Sequence, residues 1–149
     1  MEKFEFNEGI YEGEAINNVP NGKGRLVFKE DYGFEGYFVD GEPQGYGKAW
    51  SLDGDVIEVE FVFGVPNGYG RAILNNGDYY EGNFVNGMYH GKGKFIYKRG
   101  DTYEGDFFEG KFHGRGKLSR ADGVVIIGDW KDDKFVNYAP HILHKKNDL

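Results

Sequence analysis

Short runs in which apolar and polar side chains alternate fill most of the chain, and glycine closes nearly every run. In the run from Tyr80 to Phe84, two rings and a glycine occupy every second place, and the other places are polar. A period of two puts alternate side chains on opposite faces of a β-strand. A similar run covers 92–97, and a glycine-bearing loop separates the two. The pattern therefore predicts a β-hairpin.

The hairpin pattern recurs every 23 residues without insertion. Repeat positions are counted here from Tyr11, which is position 1 of the first full unit. The five full units are 11–33, 34–56, 57–79, 80–102 and 103–125. A partial unit with Phe4 and Phe6 at positions 16 and 18 precedes them, and a partial unit with Ile126 to Trp130 follows them. The recurrence predicts a solenoid in which each unit packs on its neighbours.

A row of such hairpins forms about a dozen strands in one meander. Because neighbouring strands lie about 4.8 Å apart, each unit advances the sheet by about 10 Å. The predicted fold class is all-β, an elongated and twisted single-layer antiparallel meander about 50–60 Å long. We assign residues 1–136 to this repeat domain and residues 137–149 to a C-terminal tail or cap. For the tail, a short helix opened by Pro140 and a disordered segment are equal alternatives.

Two packing relations are expected inside each unit. If the ring at position 5 faces the glycine at position 14, the absent side chain of that glycine makes room for the ring. Position 6 is apolar, on the face where alternation predicts polar residues. Its members are Ile16, Val39, Val62, Val85 and Phe108. We expect them to pack on position 10 and stiffen the loop, and a second apolar ridge used for dimerisation is the alternative.

Composition narrows the class of protein. Glycine accounts for 25 of 149 residues and aromatic residues for 17%, with 4 prolines, which fits repeated tight turns that carry rings. The absence of cysteine excludes disulfides and thiolate metal sites, and it is compatible with a reducing compartment. No apolar run is long enough to span a bilayer and the N-terminus has no signal core, so a cytoplasmic location is expected. The net charge of −7 argues against nucleic acid as a partner.

The run Tyr-Glu-Gly-x-Phe-x-x-Gly-x-x-His-Gly-x-Gly stands at 80–93 and again at 103–116. It resembles the MORN (membrane occupation and recognition nexus) repeat, and the resemblance extends over most of the chain. It is weaker at 57–79, where Ile57 and Val59 replace the aromatic residue and the glycine. The resemblance implies a solenoid of β-hairpins with rings along one face. It also implies a role in scaffolding, in cytoskeletal or ciliary assembly, or in tethering beside a membrane.

The ringed face is the predicted contact surface for a protein partner, because a single-layer sheet cannot bury both of its faces. Rigid aromatic side chains are favoured anchors of protein interfaces. We therefore expect an extended peptide or a helix to bind along this face. The candidate residues are Tyr11, Phe34, Phe38, Tyr80, Phe84, Tyr103, Phe107 and Trp130. A row of rings that packs only against itself is the alternative.

Charged columns suggest other partners. Position 2 is acidic and position 15 basic in every full unit, which predicts a ladder of cross-strand ion pairs on the face opposite the rings. Residues 1–79 carry 6 basic and 15 acidic side chains, whereas residues 80–149 carry 12 and 10. The second half contains a basic cluster of Lys92, Lys94, Lys98, Arg99, Arg115 and Lys117. The alternatives to a protein-binding scaffold are a peripheral membrane module that binds acidic phospholipid and a rod that self-associates, for example as a homodimer.

The sequence contains no arrangement typical of catalysis. His90 and His113 both occupy repeat position 11. Their backbones are therefore expected about 10 Å apart, which is too far for two ligands of one zinc ion. Hydrogen bonds that cap the glycine-rich loop are the expected role of both. Gly91-Lys92-Gly93 lacks the Ser or Thr of a P-loop, and the position-2 carboxylates occur one per unit instead of in pairs. We expect a protein that is not an enzyme and has neither metal nor cofactor.

Overall fold

The computed structural model describes residues 1–29 and 31–138. Its strands are β1 (Glu2–Phe6), β2 (Gly9–Ile16), β3 (Val19–Phe28), β4 (Gly33–Val39), β5 (Glu42–Pro43), β6 (Gly45–Trp50), β7 (Val56–Val62), β8 (Val65–Ile73), β9 (Tyr79–Val85), β10 (Met88–Ile96), β11 (Thr102–Phe108), β12 (Lys111–Ser119), β13 (Val125–Lys131) and β14 (Lys134–Tyr138).

All 14 strands belong to one open antiparallel sheet, and their order in the sheet follows the chain. The two-residue β5 pairs with β4, which also pairs with β6. The predicted all-β antiparallel meander is therefore confirmed. The described residues contain no helix, and hence none that could cross a membrane. The short C-terminal helix considered for the tail falls on 139–149, outside the described residues.

The turn inside each hairpin is two residues long, at repeat positions 7 and 8. Between β9 and β10 these residues are Asn86 and Gly87, with φ angles of 52° and 80°. Positive φ at both places defines a type I′ turn, whose twist matches that of the flanking strands. Asn and Gly tolerate the left-handed region better than other residues. The turn places position 6 opposite position 9 and position 5 opposite position 10, as in the pairing of Phe84 with Tyr89.

A β-bulge follows the turn. Phe84 pairs with Tyr89, but Gly82 pairs with Gly93, so β10 has more residues than β9 over the same stretch. Gly91 has a φ of 79° inside this irregularity, in the left-handed region that glycine adopts most easily. Bulges of this kind bend and twist the strand that contains them. The same register shift occurs in the β2–β3, β7–β8 and β11–β12 hairpins.

This register shows that the expected packing of position 6 on position 10 is wrong. Paired residues share one face of a sheet, so position 10 joins the face that carries the position-5 rings. We call it the core face, and its opposite the outer face. Phe112, at position 10, is buried and stacks on Tyr103 with 3.9 Å between ring centroids. Position 6 lies on the outer face, where Ile16 and Phe108 are 62% and 47% exposed. The ridge interpretation of position 6 stays a prediction.

The ring that covers the position-14 glycine comes from position 1, and the expectation that it comes from position 5 is wrong. A Cβ atom placed on Gly93 would lie 2.5 Å from Tyr80 Oη. Gly93 pairs with Gly82, the position-3 glycine of the same hairpin. Two paired glycines leave the core face without side chains at this place, and the tyrosine ring from two residues earlier lies across the gap.

Polar side chains at positions 11 and 22 tie several neighbouring units together. Oδ1 of Asp78, at position 22, accepts a hydrogen bond of 2.8 Å from the backbone N–H of Lys98 in the following unit. Asp55 and Asp101 do the same for Asn75 and Ala121, each at 2.8 Å. At position 11, Asn21 Oδ1 accepts from the N–H of Asp40 at 2.9 Å. Because every such bond spans one repeat, inserting a residue between units would break it.

Candidate protein-binding face

The eight candidate rings lie on the core face and are buried. Their exposed fractions range from 0% for Tyr11 to 6% for Trp130. Tyr80 meets Phe84 and Phe107 edge to face, with 5.2 Å and 5.1 Å between ring centroids. Edge-to-face pairs at this separation are the arrangement that aromatic quadrupoles favour. The rings therefore form the buried layer of this face, directly on the sheet.

The tyrosine hydroxyls in this layer find hydrogen-bond partners at the bulge. Tyr80 Oη donates to the backbone carbonyl of Asn83 at 2.7 Å, and Tyr103 Oη donates to that of Asp106 at 2.8 Å. Both carbonyls belong to position 4, which the bulge removes from the regular ladder. A buried phenol needs such a partner, because an unpaired polar group in the core is costly. Each position-1 tyrosine thus stabilises both the core and the bend of its hairpin.

Burial of these phenols predicts a loss of stability in alkaline solution. Desolvation raises the pKa of Tyr80 and Tyr103, and desolvation with the nearby Asp55 and Asp78 carboxylates raises the pKa of Tyr89 to about 12. The ordinary value is about 10, so the stabilisation is complete below about pH 10 and is lost as the pH rises through the folded-state pKa values. We expect the unfolding free energy to fall above about pH 10, by up to about 1.4 kcal/mol per pH unit for each phenol.

Urea unfolding across the alkaline range, with tyrosinate absorbance recorded in parallel, measures this effect. Replacing Tyr103 by phenylalanine removes one of the shifted groups and should make the decline with pH shallower. An unfolding free energy that stays constant through the range in which free tyrosine ionises would contradict the burial of these hydroxyls.

A second, partly exposed layer of apolar side chains packs against the rings on the core face. Most of it comes from positions 10, 16 and 18, which the candidates chosen from positions 1 and 5 leave out. Its members include Phe4, Phe6, Phe28, Ala49, Ile57, Leu74, Tyr89, Phe95, Tyr97, Leu118, Ile126 and Phe135. The alternation at 92–97, with Phe95 and Tyr97 two residues apart, is the sequence signal for this layer. Since all described strands belong to one sheet, no other described element covers it.

An open apolar hollow of about 450 Å³ interrupts the core face near its centre. It lies between the second, third and fourth full units. Asp55 and Met88 contribute to its wall. The apolar side chains that line it include Ala49, Ile57, Ala72, Leu74, Phe84 and Tyr89. Of the eight candidate rings, only Phe84 reaches this hollow.

The fold divides the basic cluster between two places. Lys92, Lys94, Arg115 and Lys117 occupy positions 13 and 15, whose side chains point to the outer face. The other two members, Lys98 and Arg99, lie in the turn between β10 and β11. The six cations therefore do not form one patch.

Carboxylates accompany several of these cations. Lys92 forms an ion pair with Asp106, and Arg99 Nε lies 2.7 Å from Asp101 Oδ2. Lys94 stands opposite Glu81 on one side and Glu104 on the other, in the alternating ladder that the sequence predicts for the outer face. Neighbouring negative charges of this kind offset the attraction of the cations for an anionic surface.

The two histidines of position 11 lie near the start of β10 and β12 and do not form a metal site. His90 Nδ1 accepts a hydrogen bond of 3.4 Å from the backbone N–H of Glu109, in the turn of the next unit. His113 Nδ1 is buried without a hydrogen bond and lies 3.8 Å from Asp132 Oδ1. Among residues 1–29 and 31–138, no group of three His, Asp or Glu side chains could hold a metal ion. Both histidines are expected from the sequence to cap the glycine-rich loop, but His90 caps the turn of the neighbouring unit instead, and His113 Nδ1 makes no such bond.

Fold and face together define an open β-sheet repeat protein, in which similar hairpins line one face with buried rings. The family model for the MORN repeat matches residues 11–30, 34–56, 60–79, 80–102 and 103–125. The chain therefore belongs to the MORN repeat family. The match in the third unit begins at residue 60 and leaves out Ile57 and Val59, the two departures from the pattern. No curated protein sequence matches the chain.

Proposed function

We propose that this chain is a non-enzymatic scaffold that binds a protein partner, as an extended peptide or a helix, along its core face. One observation carries the proposal: a layer of partly exposed apolar side chains runs along a face that no other described element covers. Contiguous exposed apolar surface on a soluble domain marks an interaction site more often than not. The eight buried rings give this layer a rigid base, and rigid surfaces lose less entropy on binding.

The partner contacts in this proposal shift from the buried rings to the partly exposed layer packed against them. Phe28, Leu74, Phe95, Tyr97 and Leu118 lie along the face and would meet an elongated segment in turn. Successive units lie about 10 Å apart, and a helix rises about 5.4 Å per turn, so a helix would present one side chain to each unit every two turns. Both an extended segment and a helix fit this spacing.

A matched pair of tyrosines tests the choice of face. We expect a photoreactive benzoyl-phenylalanine at position 97, on the core face, to form a discrete covalent adduct with a protein in an extract of the source cells. Tyr69 lies on the outer face and is 61% exposed, so benzoyl-phenylalanine at position 69 should form no adduct. Adducts are detected by mass spectrometry. Adducts from position 69 alone would contradict the proposal, as would none from either position.

Lipid binding is the less supported alternative, because the basic cluster is split and partly neutralised. Co-sedimentation with liposomes that contain acidic phospholipid distinguishes lipid binding from protein binding. Binding that is lost at moderate salt would favour a membrane module, since exposed charges are screened over about 8–10 Å under such conditions.

A further inference from the structure

The hollow on the core face arises where the third unit departs from the repeat. Positions 1 and 3 hold Ile57 and Val59 in place of an aromatic residue and glycine. Val59 is fully buried, and a Cβ atom on Gly70 would lie 2.5 Å from its Cβ. Val59 therefore fills the place that the tip of the position-1 ring occupies in the other four full units. Ile57 is shorter than that ring, so the space above it stays empty.

Two alanines enlarge the same space. Position 16 carries Leu26, Phe95 or Leu118 in three units but Ala49 and Ala72 in the second and third. Ala49 and Ala72 pair with Ile57 from its two sides. Three small or shortened side chains thus stand next to one another across neighbouring strands. The hollow of about 450 Å³ lies within the range of about 300–1,000 Å³ that is common for preformed binding pockets.

The walls of the hollow are held in place before anything binds. Tyr89 stacks on the buried Tyr80 with 3.8 Å between ring centroids, and it meets Phe84 edge to face at 5.5 Å. Asp55 Oδ1 is fixed by the N–H of Asn75 at 2.8 Å. A preorganised apolar pocket is the typical receptor for a single anchor side chain in a protein interface.

Acidic side chains beside the hollow favour basic residues in a segment that binds there. Asp55 lines the hollow, and Asp78 occupies the equivalent place in the next unit. Burial and the negative charge of both carboxylates raise the pKa of the Tyr89 hydroxyl to about 12. No lysine or arginine of the described residues lines the hollow, and the methylene groups of Lys98 lie over Gly77. Residues 1–79, which supply Asp55 and Asp78, carry an excess of nine negative charges.

We infer that this hollow is the anchor site of the core face, and that it takes one bulky apolar side chain of a protein partner, flanked in the partner by lysine or arginine. The inference rests on the proposed function, because it names the subsite and the chemistry of the segment that the face binds. Apolar burial holds the anchor, and the two aspartates discriminate against acidic segments.

Designed peptides of one length, labelled with fluorescein, test this chemistry on the full chain. The first carries one tryptophan between lysines in a background of alanine and glutamine. In the second, alanine replaces the tryptophan, and in the third, glutamate replaces the lysines. We expect fluorescence polarisation to show that the first peptide binds at least about tenfold more tightly than the other two. Equal affinity for the first and second peptides, or for the first and third, would overturn the inference.

A cavity-filling variant tests the site itself. Ala72→Phe restores the residue type of Phe95 at position 16 and should fill the hollow, which would weaken binding of the first peptide at least about tenfold. Ile73→Phe is the matched control: it adds a ring at the next residue, which points to the outer face and is 41% exposed. Ala49→Leu fills the hollow from the other side if Ala72→Phe does not fold. Wild-type affinity in a folded cavity-filling variant would refute the site.

Crosslinking separates this inference from the proposed function. Tyr97 does not line the hollow, so a photoreactive residue at position 97 reports on the whole face. We expect the adduct to decrease about tenfold in the Ala72→Phe background. An unchanged adduct would overturn the anchor site and leave the scaffold function standing. If the chain with its natural Ala72 also formed no adduct, the scaffold function would be refuted instead.

Discussion

Gly116→Ala is expected to lower the free energy of unfolding by about 3 kcal/mol, although it adds a single methyl group. The new Cβ atom would lie 2.2 Å from Tyr103 Oη and 2.3 Å from Cζ, far inside van der Waals contact. The tyrosine has nowhere to go, because it is fully buried and stacks on Phe112 at 3.9 Å. Either the ring shifts and loses its 2.8 Å hydrogen bond to Asp106, or the two strands move apart.

Urea denaturation followed by circular dichroism measures this loss. Gly110→Ala is the control, because no atom lies within 4 Å of its added Cβ and only its φ of 86° opposes alanine. That backbone strain costs about 1 kcal/mol. In a double-mutant cycle with Tyr103→Leu, the cost of Gly116→Ala should shrink by about 1–2 kcal/mol. Equal losses for Gly110→Ala and Gly116→Ala would disprove the packing of the ring on the glycine.

Tyr80→Ala is expected to cost about 4 kcal/mol, because it removes a fully buried ring from the centre of the aromatic layer. Phe84, Tyr89 and Phe107 all pack on this ring, at 5.2, 3.8 and 5.1 Å between centroids. The cavity that is left cannot collapse, since the paired glycines Gly82 and Gly93 lie beneath it without side chains. In a solenoid the loss also weakens the interface between neighbouring units.

Two controls divide this cost into its parts. Tyr80→Phe keeps the ring and removes only the hydrogen bond to the Asn83 carbonyl, so it should cost about 1 kcal/mol. Tyr79→Ala deletes the adjacent tyrosine, which points to the outer face, and should cost less than about 1 kcal/mol. The same urea titrations apply to all three variants. A loss from Tyr79→Ala as large as that from Tyr80→Ala would show that the assignment of faces is wrong.

The strands, the faces and the number of units followed from the local pattern, because a two-residue alternation and a 23-residue period do not depend on distant contacts. The charge ladder followed in the same way: Glu58 and Arg71 are paired in the sheet, with 2.9 Å between Arg71 Nη2 and Glu58 Oε1. The register inside each hairpin did not follow. It depends on a two-residue turn, which Asn86-Gly87 signals, and on a bulge whose effect on the pairing is settled only when the two strands meet.

The candidate site was likewise predicted in part from the sequence and decided in part by the packing. The aromatic columns identified the face, but the packing decided which side chains are buried and which remain accessible. Tyr80 and Phe107 could have been anchors for a partner, and instead they bury each other edge to face, with the tip of the Tyr80 ring over Gly93. The partial exposure of Phe95, Tyr97 and their equivalents follows from how these side chains pack against the buried rings.

A pattern along the chain was enough to specify the repeat, the strands and the two faces, since each of these is a local periodicity of side-chain chemistry. The depth of each ring, the position of the bulge and the hollow above Ile57 were decided in three dimensions. Ala49, Ile57 and Ala72 come from three different strands, and no local signal marks them as neighbours. They form one space only after the sheet pairs, because the volume of a cavity depends on all of its walls at once.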